Sequence, residues 1–327
     1  MHRRLVARSM QIIDIGANLT DPVFRGKYRG KQAHDDDLGI VLQRARAAGV
    51  ERMMVTGGSL HESKEAIDLC RQHQELFATA GCHPTRTSEV DGHPGGADAY
   101  FAGLRDLILS NKDKVVAVGE CGLDYDRLHF SDKPTQNKYF LRHFDLAEAT
   151  GLPLFLHNRN TGGEFAAILK QNRHRFSTGV VHSFTGTAEE LRELLALGLY
   201  IGVNGCSLKT DDNLAVVKLI PADRLMIETD CPYCEIRPTH ASHKLLDPAG
   251  VASWTAPDAK RKERWCSDSM VKSRNEPCTV RLVLQAVAKL LAIDEAELAA
   301  RMFENTCKVF FPGTTHDTKL GLDTSVQ

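Results

Sequence analysis

The run VVAVGECG, residues 115–122, decides how this chain is read. Four apolar residues in succession leave neither face of a strand turned to water, as in a parallel sheet covered on both sides. The run then meets Glu120, and a carboxylate at the end of an apolar strand is costly to bury without a partner.

Seven further runs repeat the pattern: QIIDIGA (11–17), RMMVTGG (52–58), LFATAGC (76–82), LPLFLHN (152–158), GVVHSFT (179–185), LYIGVNG (199–205) and LMIETDC (225–231). Helix signals separate them. DDDLGIVLQRARAAG has acids at its start and a stop glycine at Gly49, and QNKYFLRHFDLAEATG has helical spacing and ends in Gly151. Ser59 with Glu62 and Thr187 with Glu190 fit capping boxes. Two amphipathic segments, CTVRLVLQAVAKLLA and DEAELAARMFENTCKVF, follow the eighth run. Eight strands alternating with helices predict an α/β fold, a closed (β/α)8 TIM barrel of the metal-dependent hydrolase type. No strand is followed by a glycine-rich phosphate loop, which argues against a doubly wound nucleotide-binding sheet.

The 327 residues suit one barrel domain over 12–312, with a short basic N-terminal tail at 1–11 and a flexible C-terminal tail at 313–327. The one long irregular stretch, 232–277, is an insertion after strand eight. With 42% apolar and 25% charged residues, a net charge of −1 and no long apolar run, neither membrane binding nor a global pull toward nucleic acid is expected. Nine irregularly spaced cysteines indicate a reducing compartment. MHRRLVARSM resembles the start of a mitochondrial transit peptide but runs into strand one almost at once, so nucleus or cytoplasm is expected instead.

Barrel sites form where strands end. There the chain carries His83, Glu120, His157, His182 and Asp230, on five different strands. Two carboxylates with two or three imidazoles and no thiolate suit zinc, manganese or magnesium with positions left open. Up to two divalent ions are expected, with Glu120 bridging, His157 and His182 on one and Asp230 on the other. Two ions about 4 Å apart would clamp a phosphodiester, and Asp230 is also placed to take a proton from the attacking water. No organic cofactor is expected. Arg159 sits at the rim beside His157, and Asp124 and Tyr125 follow Glu120 into the pocket. Lys260, Arg261, Lys262 and Arg264, in KRKERW, are candidate phosphate contacts, with Lys272 and Arg274 beyond them and a second basic loop at FRGKYRGK (24–31). Trp265 is a candidate for stacking on a base.

The motifs DIGANLTDP, GCHPT, GECGLDYDR, FLHNR, VVHSFTG, YIGVNG and IETDCPY occur in this order at strand ends. In them the chain resembles the TatD family of metal-dependent deoxyribonucleases, within the amidohydrolase-like barrels. NGCSLKT makes it similar to the eukaryotic branch, and the resemblance runs from Ile12 to Pro312. It implies a 3′→5′ exonuclease, with endonuclease activity as a further implied property, acting on DNA without sequence specificity. It also implies Glu120 as the ligand shared by both metals, His157 and His182 on one and Asp230 on the other, and His83 as a phosphate contact. A metal-dependent D-aminoacyl-tRNA deacylase and a catalytically weakened nucleic-acid-binding module are the alternatives.

One departure stands out. Many members of the family begin D-x-H-x-H, and here the frame reads Asp14-Ile15-Gly16-Ala17-Asn18. Asn18 is expected to offer an amide oxygen in place of a histidine, which favours magnesium or manganese over zinc. Histidines restored at positions 16 and 18 are expected to tighten that metal site.

Overall fold

The computed structural model describes residues 10–246 and 254–313. The expected tails lie outside these residues except for Met10, Gln11 and Gly313, and part of the insertion lies outside them too.

Eight strands form one sheet in sequence order: β1 (Ile12–Ala17), β2 (Val50–Val55), β3 (Leu76–Ala80), β4 (Val115–Asp124), β5 (Leu154–Arg159), β6 (Gly179–Val181), β7 (Tyr200–Val203) and β8 (Leu225–Ile227). Every neighbouring pair is parallel. The first and last strands meet at one end of the sheet. Ala17 bridges Cys231, the Asp230 N–H donates to the Gly16 carbonyl at 2.8 Å, and the Asn18 N–H donates to the Cys231 carbonyl at 2.7 Å. The (β/α)8 barrel expected from the eight apolar runs is therefore the architecture found, nearly closed.

Two of the differences between the strands and their sequence runs bear on the site. β4 continues through Asp124, so Glu120 lies inside it, beside a register shift between Val118 and Cys121. β8 stops at Ile227, because beyond it the backbone changes partner. The Glu228 N–H still donates to Val203 at 3.1 Å, but the Thr229 N–H turns to the carboxylate of Asp14 at 2.9 Å.

The helices α1 (Leu38–Ala47), α2 (Leu60–Gln72), α3 (Gly96–Leu109), α4 (Lys133–Thr150), α5 (Glu164–Gln171), α6 (Ala188–Ala196), α7 (Asp211–Val217), α8 (Val280–Leu291) and α9 (Glu295–Phe310) accompany the strands. Ser59 and Thr187 accept hydrogen bonds from the N–H groups three residues on, as their sequence pattern requires. An inner cluster that includes Ile13, Ile15, Met54, Val116, Phe155, Val180, Tyr200 and Met226 fills the barrel. Its lower end is covered by the end of α9, where Phe311 meets Phe77 edge-on and carries the Arg52 guanidinium at 4.6 Å. A site can therefore open only at the other end. Among the described residues no helix is long and apolar enough to cross a membrane.

The insertion is less irregular than expected. It holds two short 3-10 turns (Ala241–Leu245 and Lys262–Arg264) and a parallel pair, Ala259–Lys260 with Met270–Val271. Arg274 anchors it. This arginine is buried, with bonds of 2.7 and 2.6 Å to Asp37, 2.8 Å to Glu276 and 3.1 Å to the Val23 carbonyl. Arg44 of α1 grips the same Glu276 at 2.8 and 2.9 Å. Two buried carboxylates demand guanidinium partners, so Arg274 is not the solvent-facing phosphate contact expected of it.

Candidate metal centre

Glu120 reaches its neighbours because β4 and β5 run unusually close. Gly122 pairs with His157, and a Cβ on Gly122 would fall 1.9 Å from the His157 carbonyl oxygen, so only glycine, here with φ of +143°, fits. Glu120 is then faced by imidazoles from three strand ends. Its Oε1 lies 2.7 Å from His182 Nε2, 2.8 Å from His157 Nδ1 and 3.3 Å from His83 Nε2, and His157 Nδ1 is 3.3 Å from His182 Nε2.

Four polar atoms converging so tightly are what a cation would gather. His157 Nε2 and His182 Nδ1 are buried without a hydrogen-bond partner, and each imidazole points its other nitrogen at Glu120 and at the other ring. Glu120, His157 and His182 thus form one compact group able to hold an ion. Burial pushes the Glu120 carboxyl up, but His182, His83 and His157 outweigh it and hold it well below the usual range. Burial pushes His182 down, but the Glu120 and Glu228 carboxylates raise it well above its ordinary value. His157 is likewise raised, burial being overcome by Asp124 and Glu120.

Asp124 was expected as a pocket-lining substrate contact. It is instead fully buried, with Oδ2 3.3 Å from His157 Nε2 and 3.0 Å from Arg127. It gathers with His83 and His157 in a second compact cluster, beside the group formed by Glu120, His157 and His182. A buried carboxylate facing an imidazole has no free edge for substrate.

His83 follows β3. Its Nδ1 accepts from the Thr85 N–H at 3.1 Å, capping the 3-10 turn Pro84–Arg86, so its proton sits on Nε2, facing Glu120. That tautomer donates, which suits an anionic oxygen better than a cation. His143 of α4, overlooked in the sequence, accepts from the Cys82 N–H at 2.9 Å and steadies the backbone before His83.

Asp230 stands outside both compact groups. Its Oδ2 receives the Cys234 thiol at 3.3 Å. Loss of water pushes its carboxyl up to about 6, eased by His182 and reinforced by Glu228 and Glu120. Asn18 turns its amide nitrogen, rather than its oxygen, toward Asp230. Its Nδ2 donates to Asp230 Oδ1 at 2.9 Å and to the Cys231 carbonyl at 3.1 Å. Both neighbours are acceptors, so the amide must face them with its nitrogen.

Glu228 is a residue the sequence reading passed over. It is fully buried; its Oε1 accepts from the Ser183 N–H at 2.6 Å and from Asn204 at 3.1 Å, and Oε2 has no partner. The signal was present, because Glu228 also follows an apolar strand, but Asp230 two residues later carries the same signal and masks it.

The basic candidates lie on the surface. Arg159 is at the rim, ion-paired with Asp126 at 2.7 Å. Lys260 bonds Cys266 at 2.7 Å and lies 3.7 Å from Asp268, Lys262 lies over the Tyr28 ring at 4.7 Å, and Arg261 and Arg264 are exposed. Trp265 stacks on His34 with ring centres 5.0 Å apart, so one face expected to take a base is already covered. The contacts to Tyr28 and His34 join KRKERW to the basic loop after β1, making one surface of two segments far apart in sequence.

Comparison with known proteins is consistent over almost the whole chain. The family model described as TatD related DNase matches residues 13–311. A Schizosaccharomyces pombe protein named Deoxyribonuclease Tat-D is 43% identical over 93% of this chain and 97% of its own length. An Erwinia tasmaniensis protein named 3'-5' ssDNA/RNA exonuclease TatD is 37% identical over 91% of this chain and 99% of its own. The crystal structure of a TatD family hydrolase from Entamoeba histolytica superposes with a TM-score of 0.85 at 37% identity, covering 93% of this chain and 99% of that one.

Proposed function

This chain belongs to the TatD related DNase family, and on that premise we propose that it is a divalent-metal-dependent nuclease that hydrolyses DNA phosphodiester bonds from the 3′ end. The observation that carries this reading is the convergence of His157 Nδ1 and His182 Nε2 on Glu120. Glu120, His157 and His182 would hold the cation, with Asp124 beside them. A cation there supplies charge neutralisation for a phosphoryl oxygen and acidifies water.

The chain's own groups do the rest. His83 donates from Nε2 to a phosphate oxygen and orients it. Asp230 takes the proton released by the attacking water; a carboxyl pushed up to about 6 is a better base near neutrality than an ordinary one. Arg159 and the joined basic surface hold the phosphate backbone without reading sequence. The compact group Glu120, His157 and His182 offers imidazole and carboxylate donors, which suit manganese or zinc better than magnesium.

The test is cleavage of a 5′-labelled single strand in magnesium, manganese and zinc, wild type beside Glu120→Ala. Ladder shortening in manganese that the variant abolishes is the expected result. Intact DNA with every metal, together with hydrolysis of an aminoacyl ester, would turn the reading to that ester.

A further inference from the structure

The frame Asp14-Ile15-Gly16-Ala17-Asn18 lacks histidines, and what fills their place decides how the site works without them. A Cβ built on Gly16 would lie 2.7 Å from Glu228 Oε2, closer than real Cβ atoms come, and 3.5 Å from the Phe155 ring. A Cβ on Gly202 in β7 would lie 3.6 Å from the same oxygen and 3.0 Å from the His182 Cα. The Glu228 side chain therefore reaches from the end of β8 to a gap between two glycines on β1 and β7. There its Oε1 stands 3.4 Å from His182 Nδ1.

His182 is held on several sides. Phe155 stacks on its ring, with centres 4.6 Å apart and planes at 25°. Its backbone N–H donates to the Leu156 carbonyl at 3.0 Å. Glu228 faces Nδ1 and binds the next backbone N–H, that of Ser183, at 2.6 Å. What remains free to point at Glu120 is Nε2. A carboxylate behind a ligating imidazole fixes which nitrogen is offered and raises its basicity.

We propose that Glu228 is a positioning residue of the metal centre, turning Nε2 of His182 toward the cation, and that the carboxylate reaches this position over Gly16. The inference rests on the metal-dependent reading above. A side chain at position 16 would meet the far end of Glu228, so a histidine there would have to displace that carboxylate.

The experiment is calorimetric titration of Mn2+ into wild type, Glu228→Gln, Gly16→Ala and the double variant, with thermal unfolding and ring-nitrogen NMR of His182 alongside. Each single variant is expected to weaken Mn2+ binding by roughly 10- to 100-fold, the range usual for such supporting groups. The double variant should lose about as much as the worse single one, because both act through one carboxylate. The nitrogen shifts of His182 should show Nδ1 losing its proton preference in Glu228→Gln. Gly16→Ala leaves the carboxyl chemistry intact, so it tests the idea even if Glu228→Gln folds poorly. A folded Glu228→Gln that binds Mn2+ and tautomerises as wild type does would overturn the proposal, as would fully additive losses. Wild type that binds no divalent ion would instead sink the metal-dependent reading itself.

Discussion

Asn18 on the first strand's loop donates its side-chain amide to Asp230 beyond the last strand at 2.9 Å, joining the two ends of the sheet at the rim of the site. The bond favours the charged form of a carboxyl that loss of water has already pushed up to about 6. Removing it in Asn18→Ala should raise the Asp230 pKa further. The acid limb of the kcat–pH profile should then move to higher pH, with kcat at neutral pH falling several-fold. Asn18→Asp places a like charge there and should move the limb further still. An unmoved limb in both variants would remove Asp230 as the proton acceptor.

Metal affinity should depend steeply on pH. His157 and His182 are raised above their ordinary value by the carboxylates around them, so protons compete with the ion near neutrality. Affinity for Mn2+ should rise with pH, and binding should release protons. Calorimetry in buffers of differing ionisation enthalpy reads that release directly.

Glu120 and His182 also set part of how the metal-free protein responds to pH. Glu120 is depressed from 4.5, so the stability it contributes is present above that value and lost only as pH falls through its lower folded pKa. His182 is raised from 6.5, so its contribution is full below that value and lost as pH rises through its higher folded pKa. The contribution of these two groups to the Tm of metal-free wild type is steady between 4.5 and 6.5 and is lost on the alkaline side. In Glu120→Gln that alkaline fall should shrink, as thermal unfolding across pH would show.

Arg274 is expected to matter for folding rather than for DNA. Arg274→Ala removes the two-pronged partner of the buried Asp37 carboxylate and should cost about 3–5 kcal/mol in urea unfolding. Arg274→Lys should rescue little, because one ammonium cannot reproduce the two-pronged grip on Asp37.

The exposed arginines should behave in the opposite way. Arg261→Glu with Arg264→Glu should leave Tm and Mn2+ affinity unchanged while weakening binding to single-stranded DNA. The log–log salt slope should fall by about 0.7 for each phosphate that the protein no longer neutralises. An unchanged slope would take this surface out of the binding path.

Most of the scaffold was legible before any coordinates. Short continuous apolar runs such as Val115–Val118 read as strands covered on both faces, and eight of them separated by helices leave few architectures open. Glu120, His157 and His182 were legible for a related reason. Each lies within or just past an apolar strand, where a titratable group needs a partner, and barrel geometry gathers such positions at one end. Asp124 was seen but misjudged, because position in a strand does not say which way a carboxylate turns.

What the sequence determined by itself is the barrel, the end at which it opens and the ligand-type residues gathered there, because these follow from local patterns of burial. Only the tertiary structure decided that Asn18 donates to Asp230, that Arg274 is buried against Asp37 and that Glu228 fills the space over Gly16. These are pairings across the barrel between residues more than two hundred positions apart. Which way an amide turns, and which side chain lies over a glycine, depends on what stands opposite, and hydrophobic periodicity carries no trace of that.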